Sequence, residues 1–145
     1  MFRGRSKHNL DSKGRLAIPT RFREVLEQKN ETSLILTNSH GCLWAYTKSD
    51  WLEIERKAME LPEFDENVNV YLRYFISGAK ECPLKQNRIT IPADLREIAG
   101  LHKEVVLVGS LKRFEIWDKE RWEEIFERAR DRFPMASQKL REFGI

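Results

Sequence analysis

Polar and apolar positions along this chain switch between alternating and helical periods in one order, and that order occurs twice. From Arg15 to Ile18 and from Arg88 to Ile91 the positions alternate, which predicts two short strands. Pro19 and Pro92 then open short helices. Their apolar faces are Phe22, Val25 and Leu26 in the first and Leu95, Ile98 and Ala99 in the second, with Gly100 as a C-terminal cap. Strands are expected near 33–37 and 42–46, and again near 104–109 and 112–117. Helices follow at about 48–60 and 119–132, with Thr47 and Asp118 as N-caps. Between the two series, Val68, Tyr71, Leu72 and Phe75 fall at i, i+3, i+4 and i+7, predicting a connecting helix over 66–77 that ends at Gly78. Pro134 is expected to interrupt the last helix, leaving one further short turn before Ile145. Trp51, Trp122, Ile54, Ile125 and Phe126 read as packing residues rather than base-stacking groups.

The two series also share residues. Leu10-Asp11-Ser12-Lys13-Gly14-Arg15-Leu16-Ala17-Ile18-Pro19 is matched by Pro83-Leu84-Lys85-Gln86-Asn87-Arg88-Ile89-Thr90-Ile91-Pro92, with the arginine, two aliphatics and the proline at one constant offset. Phe22-Arg23-Glu24 meets Leu95-Arg96-Glu97 at that same offset. After a small gap, Leu43-Trp44-Ala45-Tyr46 meets Phe114-Glu115-Ile116-Trp117, and Lys48, Trp51, Glu53, Ile54 and Ala58 meet Lys119, Trp122, Glu124, Ile125 and Ala129. A match that keeps its phase from turn to strand to helix marks an internal duplication. One copy, about 50 residues of mostly short strands, cannot bury a core alone. Two copies in one chain can, by exchanging hairpins across a pseudo-twofold axis. The expected fold is therefore α+β: two tandem swapped-hairpin motifs over 5–50 and 79–122, intertwined as a pseudo-twofold β barrel. Connecting helices over 51–78 and a helical tail over 123–145 flank it.

Composition narrows the class. Of the 145 residues, 41% are hydrophobic and 34% charged, as in a globular protein with a charge-rich surface. Val105-Val106-Leu107-Val108, among the longest apolar runs, is a buried strand and far too short to span a membrane. The basic start, Met1 to Lys7, has no apolar stretch behind it, so no secretory signal is expected and the protein is placed in the cytoplasm. Cys42 and Cys82 are too few and too far apart for a disulfide framework or a zinc knuckle and read as small buried hydrophobes. His8, His40 and His102 are scattered without partners at ligand spacing, so no metal or other cofactor is expected. Net charge is +3, but residues 1–25 hold seven basic side chains against two acidic ones, and residues 48–66 hold three against seven. Positive charge gathered at one end points to a polyanion.

The turn at Asp11-Ser12-Lys13-Gly14-Arg15 carries the candidate chemistry. Gly14 permits the positive φ that closes a short hairpin loop, which lifts Lys13 and Arg15 together at its tip. Asp11, four residues before Arg15, can reach the loop amides or the guanidinium across so tight a turn. An arginine oriented in this way presents a planar donor fork that matches guanine O6 and N7, or a phosphate. Lys7 and Arg5 on the preceding strand are placed to contact phosphates from the side. Lys85 and Arg88 occupy the second turn.

Phe2-Arg3-Gly4, the run Leu10 to Leu16, Ile18-Pro19 and its second copy together resemble the MraZ family. So do Val106-Leu107-Val108-Gly109 and Phe114-Glu115-Ile116-Trp117-Asp118, and the resemblance covers nearly the whole chain in order. It implies membership of the SpoVT-AbrB, or swapped-hairpin, superfamily. It also implies a regulator that binds short direct repeats in double-stranded DNA upstream of the division and cell-wall gene cluster containing its own gene. Octamer-like ring-shaped homo-oligomers and association with the nucleoid are implied as well, with autorepression as the regulatory outcome. The family pattern is an aspartate, three residues, then an arginine. Asp11 and Arg15 fulfil it; in the second copy Arg88 remains, but Leu84 stands at the aspartate position and Asn87 at the glycine. Asn87 can still adopt the left-handed conformation, whereas Leu84 cannot orient Arg88 by charge. No nucleophile elbow, phosphate loop or paired-carboxylate pattern surrounds Ser39-His40 or Asp50, so no enzyme and no small-molecule substrate are expected. The alternatives are an AbrB-type antitoxin with a protein partner and a pure assembly module. Such antitoxins usually have a single hairpin motif and a disordered tail.

Overall fold

The computed structural model describes Met1–Ile145. Strands β1 (Arg5–Asn9) and β2 (Arg15–Ala17) lead into helix α1 (Thr20–Gln28), strands β3 (Ser33–Ser39) and β4 (Cys42–Thr47) and helix α2 (Lys48–Ala58). After α3 (Glu66–Tyr71), the same succession returns: β5 (Lys80–Pro83), β6 (Arg88–Thr90), α4 (Ala93–Ile98), β7 (Glu104–Ser110), β8 (Arg113–Asp118) and α5 (Lys119–Lys139). A short 3₁₀ turn, Leu140–Phe143, ends the chain.

Six strands form one antiparallel sheet in the order β1-β7-β8-β4-β3-β5, and β2 and β6 form a separate two-stranded ladder. The expected barrel is corrected here. The large sheet is open, with β1 and β5 at its edges. β5 ends at Pro83; one further backbone bond, from the Leu84 amide to Thr32 O at 2.8 Å, follows before the chain turns towards β6. The pairing crosses between halves at four places. At the middle of the large sheet β4 lies on β8 with Leu43 opposite Ile116. β1 lies on β7 with Arg5 opposite Val108, β5 lies on β3 with Leu34 opposite Cys82, and β2 lies on β6 with Leu16 opposite Ile89.

These crossings close over one core. Phe2, Phe22 and Phe114 meet with ring centroids 4.7–5.3 Å apart, mostly edge to face, and all three are buried. Leu16 and Ile89 face that core from β2 and β6, beside Leu26, Leu36, Leu43 and Leu107. A smaller cluster of Ile35, Tyr46, Trp51 and Phe75 lies apart from it. Cys42 and Cys82 are buried free thiols, and burial first of all pushes the Cys82 thiol up to about 11.

Other local expectations are met or corrected by identifiable bonds. Thr47 caps α2 through a hydrogen bond from the Asp50 amide. Asp118 sits at the start of α5 with no side-chain cap hydrogen bond, and its Oδ1 accepts from the His102 amide at 3.1 Å. Pro134 does not interrupt α5, which continues to Lys139. Proline removes one intrahelical bond, and this stretch is exposed, so water can satisfy the freed carbonyl. The connecting helix changes to π geometry over Leu72–Ile76, where Thr37 and Asn38 on β3 donate to the carbonyls of Phe75 and Tyr74. Ile98 is 48% exposed, because α4 ends on it and turns through Ala99 and Gly100, the latter at φ +62°. Trp51 is buried, whereas Trp122 and Phe126 are only half-buried against β1 and β7.

Candidate nucleic-acid interface

Asp11 builds the first turn. One of its carboxylate oxygens accepts from the amides of Lys13 and Arg15, both at 2.9 Å, and the other accepts from Arg15 Nε. Gly14 closes the loop at φ +81°, with its amide 3.0 Å from the Asp11 carbonyl oxygen. The Arg15 amide above all, then its guanidinium and the Lys13 amide, hold the Asp11 carboxyl at about 2, against an opposing push from desolvation. Arg15 is thus tethered through Nε alone. Its side chain is 42% exposed, and the two terminal nitrogens of its fork make no hydrogen bond within the chain.

The second turn is built differently. Lys85 and Arg88 bond each other's backbones at 2.8 and 3.0 Å, and the two residues between them, Gln86 and Asn87, have φ of +52° and +64°. That is a two-residue turn of type I′ handedness. Leu84, at the position corresponding to Asp11, packs against the main core and takes no part in the turn.

Strand geometry then brings the two arginines together. In the β2–β6 ladder Arg15 lies opposite Thr90 and Ala17 opposite Arg88. Side chains alternate along each strand, so Leu16 and Ile89 enter the core while Arg15 and Arg88 share the outer face. They line one cleft of about 530 Å³ with Lys85, Gln86, Thr90 and Pro83, and no carboxylate lines it. Of the residues singled out in the sequence, Arg15, Lys85 and Arg88 meet there, and Asp11 and Lys13 belong to the same turn as Arg15. Arg5 and Lys7 do not join them. They line a separate cleft with Trp122, Phe126, Glu123 and Glu127, where the Arg5 guanidinium lies 4.7 Å from the Phe126 ring centroid.

Two further arginines bear on the turns, Arg23 and Arg96. Arg23 donates to Ile18 O, Thr20 Oγ1 and Asn87 Oδ1, and Arg96 donates to Ile91 O beside Gly14. The sequence match of Phe22-Arg23-Glu24 with Leu95-Arg96-Glu97 was the available signal for them.

The fold and this face define a class: a small α+β protein presenting basic turns on a short two-stranded ladder, with no three His, Cys, Asp or Glu residues grouped to hold a metal ion. No helix is long and apolar enough to cross a membrane. A family model described as "MraZ protein, putative antitoxin-like" matches residues 1–73 and again 75–144. Proteins named Transcriptional regulator MraZ are similar over all or nearly all of their lengths. That of Syntrophobacter fumaroxidans is 45% identical over 98% of this chain and 93% of its own. That of Moorella thermoacetica is 43% identical over 100% of both chains, and that of Pediococcus pentosaceus 42% over 100% of both. The chain belongs to the MraZ family.

Proposed function

We propose that this chain is a sequence-specific transcriptional regulator that binds double-stranded DNA through the β2–β6 face. The observation that carries this reading is the shared cleft of Arg15, Lys85 and Arg88, with Arg15 oriented by Asp11 and no carboxylate in the lining. A tethered guanidinium with a free fork can reach guanine O6 and N7 in a major groove. Lys13, Lys85 and Arg88 add phosphate contacts, which give affinity and salt dependence rather than sequence. Arg5 and Lys7 are flanking phosphate contacts, weakened by the glutamates that share their cleft.

The exchange of β1 and β5 between halves, with β2 on β6 between them, supports assignment to the SpoVT-AbrB superfamily as two swapped-hairpin units over 5–50 and 79–122. The family resemblance supports the operator: short direct repeats upstream of the chain's own operon in the division and cell-wall gene cluster, where binding represses transcription. DNA as partner supports a location at the nucleoid in the cytoplasm. The relatives' names support regulation of transcription, not catalysis.

A homo-oligomeric, octamer-like ring completes the proposal. Its support is α5, whose 21 residues include none that is buried, and the 3₁₀ turn that continues it. Phe126, Ala129, Phe133 and Ala136 on α5, then Leu140 and Phe143 in the turn, follow one another at alternating spacings of three and four, and Phe133 and Phe143 are 66% and 70% exposed. Such a seam suits a second copy of the chain. The antitoxin-like wording of the family description favours a second reading, with a protein as the principal partner.

A gel-shift titration at several salt concentrations, using duplex DNA from upstream of the chain's own gene, tests the proposal. Retention of that DNA over a scrambled duplex by the purified protein alone is expected. Binding only in the presence of a second protein would favour the antitoxin reading, and no preference between duplexes would reject sequence recognition.

A further inference from the structure

The two ends of the β2–β6 ladder are closed by corresponding bonds. At one end the Ile18 amide donates to Asn87 O at 3.0 Å, and Arg23 Nε donates to Ile18 O at 3.1 Å. At the other, the Ile91 amide donates to Gly14 O at 2.9 Å, and Arg96 Nε donates to Ile91 O at 3.1 Å. Each arginine is the fourth residue of its helix and reaches back to the residue before the proline that opens it. That residue in turn grips the left-handed residue of the opposite half's turn. A path of contact therefore runs from each helix to the other half's hairpin.

The two clamps differ at their ends. Gly14 offers no side chain, and the Arg96 guanidinium fills the space instead: a Cβ on Gly14 would lie 2.7 Å from Arg96 Nε. Asn87 does offer a side chain, and Arg23 Nη1 donates to its Oδ1 at 3.1 Å while Nη2 donates to Thr20 Oγ1 at 2.9 Å. Asn87 is therefore held by the first half through both its backbone and its side-chain oxygen.

This difference matters because the turns start from unequal resources. The first turn is shaped from within, by three hydrogen bonds to Asp11 and a glycine at the left-handed position. In the second turn Leu84 accepts nothing through its side chain, and two non-glycine residues must both hold positive φ. Asparagine tolerates that region better than glutamine, so an anchor on Asn87 is the economical way to keep the pair there.

We propose that Arg23 is a positioning residue for the second turn. It holds Asn87 from the opposite half and thereby presets the backbone that carries Arg88, supplying from outside the loop shaping that Asp11 supplies to the first turn from within. The consequence for DNA rests on the function proposed above; the clamp itself does not.

Amide hydrogen exchange on the full chain separates the two. Arg23→Gln should speed exchange at the Ile18 and Arg88 amides by about three- to tenfold, the range expected for one net hydrogen bond, and leave Gly14 and Arg15 unchanged. Asn87→Gly, which keeps the favoured backbone but removes the acceptor, should reproduce much of that effect, and Asn87→Asp should not. In gel shifts with the upstream duplex, Arg23→Gln should weaken binding in the wild-type background and have little effect in Arg88→Ala. Unchanged exchange at the second turn, or an equal increase at both turns, overturns the proposal. So does equal weakening of DNA binding in both backgrounds, which would make Arg23 a direct phosphate contact. If the wild-type chain binds no DNA, the functional reading fails and the exchange data still decide the clamp.

Discussion

At Asp11 one carboxylate accepts from two backbone amides and from the guanidinium of Arg15, so a single side chain sets both the loop and the direction of its arginine. The Asp11–Arg15 pair is partly exposed, and such pairs contribute little to stability. Arg15→Ala should therefore change unfolding free energy by less than about 1 kcal/mol, while specific DNA binding weakens by roughly 1–3 kcal/mol per engaged site. Unchanged operator affinity at matched salt would remove Arg15 from the interface. The carboxyl itself is a second check. Its folded value, about 2, lies below the ordinary 3.8, so its stabilising bonds are complete above about pH 4 and are lost as pH falls towards 2. A carboxyl-carbon NMR titration should place the Asp11 midpoint near 2; a midpoint near 3.8 would mean that the loop bonds do not form in solution.

Between elements, the two turns are corresponding but unequal. Arg88→Ala should cost less operator affinity than Arg15→Ala, and its loss should lie mainly in the salt dependence, as for a phosphate contact. Equal loss of sequence discrimination for both would show that the aspartate does not set specificity. The helix α1 belongs to this scale too. Phe22 is 1% exposed between Phe2 and Phe114, so Phe22→Ala should lower stability by about 3–5 kcal/mol in denaturant unfolding. A loss below 1 kcal/mol would mean that the aromatic core does not form. Most elements were legible because burial writes itself as a period: Phe22, Val25 and Leu26 at helical spacing, and Leu16 and Ile89 alternating with their neighbours. The turn at Asp11 was legible because its chemistry is local. What the sequence could not show lay in long-range geometry. Arg5 and Lys7 face α5 instead of the basic cleft, and the sheet stays open instead of closing. Pro134 was misread because an exposed helix tolerates a lost bond that a buried one would not. Arg23 and Arg96 were visible as a match, but nothing local says that they reach across to the other half's turn.

For the whole molecule, one chain presents its strong turn once, and a few base contacts seldom give a useful specific affinity. A ring sets identical turns side by side, and DNA can engage several at a spacing near one helical turn, roughly 10 bp. Each further contact is then intramolecular, and avidity can exceed single-site affinity by about 10²–10⁴ without new chemistry. The surface proposed for self-association is the exposed seam that runs along α5 into the 3₁₀ turn after it, where Phe133 and Phe143 have no partner in the main core. Both signs of charge flank it, Arg128, Arg130, Arg132, Lys139 and Arg141 beside Glu127, Asp131 and Glu142, whereas the acidic stretch 48–66 exposes Met59, Leu61 and Phe64 elsewhere on the chain. Within its own chain α5 packs chiefly on β7 and β8. The expected solution mass is several times 17.2 kDa. Phe133→Glu combined with Phe143→Glu should bring the mass down to that of one chain in light scattering. Because both side chains are exposed, the thermal midpoint of the single chain should hardly move. The same variant should lose its preference for DNA with several in-phase repeats, while affinity for a single repeat stays near the wild-type value. Moving one repeat by half a helical turn should weaken the wild-type protein, since that element then faces away from the adjacent subunit. A monomeric wild-type protein, or equal affinity for single and multiple repeats, would refute the avidity mechanism and leave DNA binding by a single turn standing.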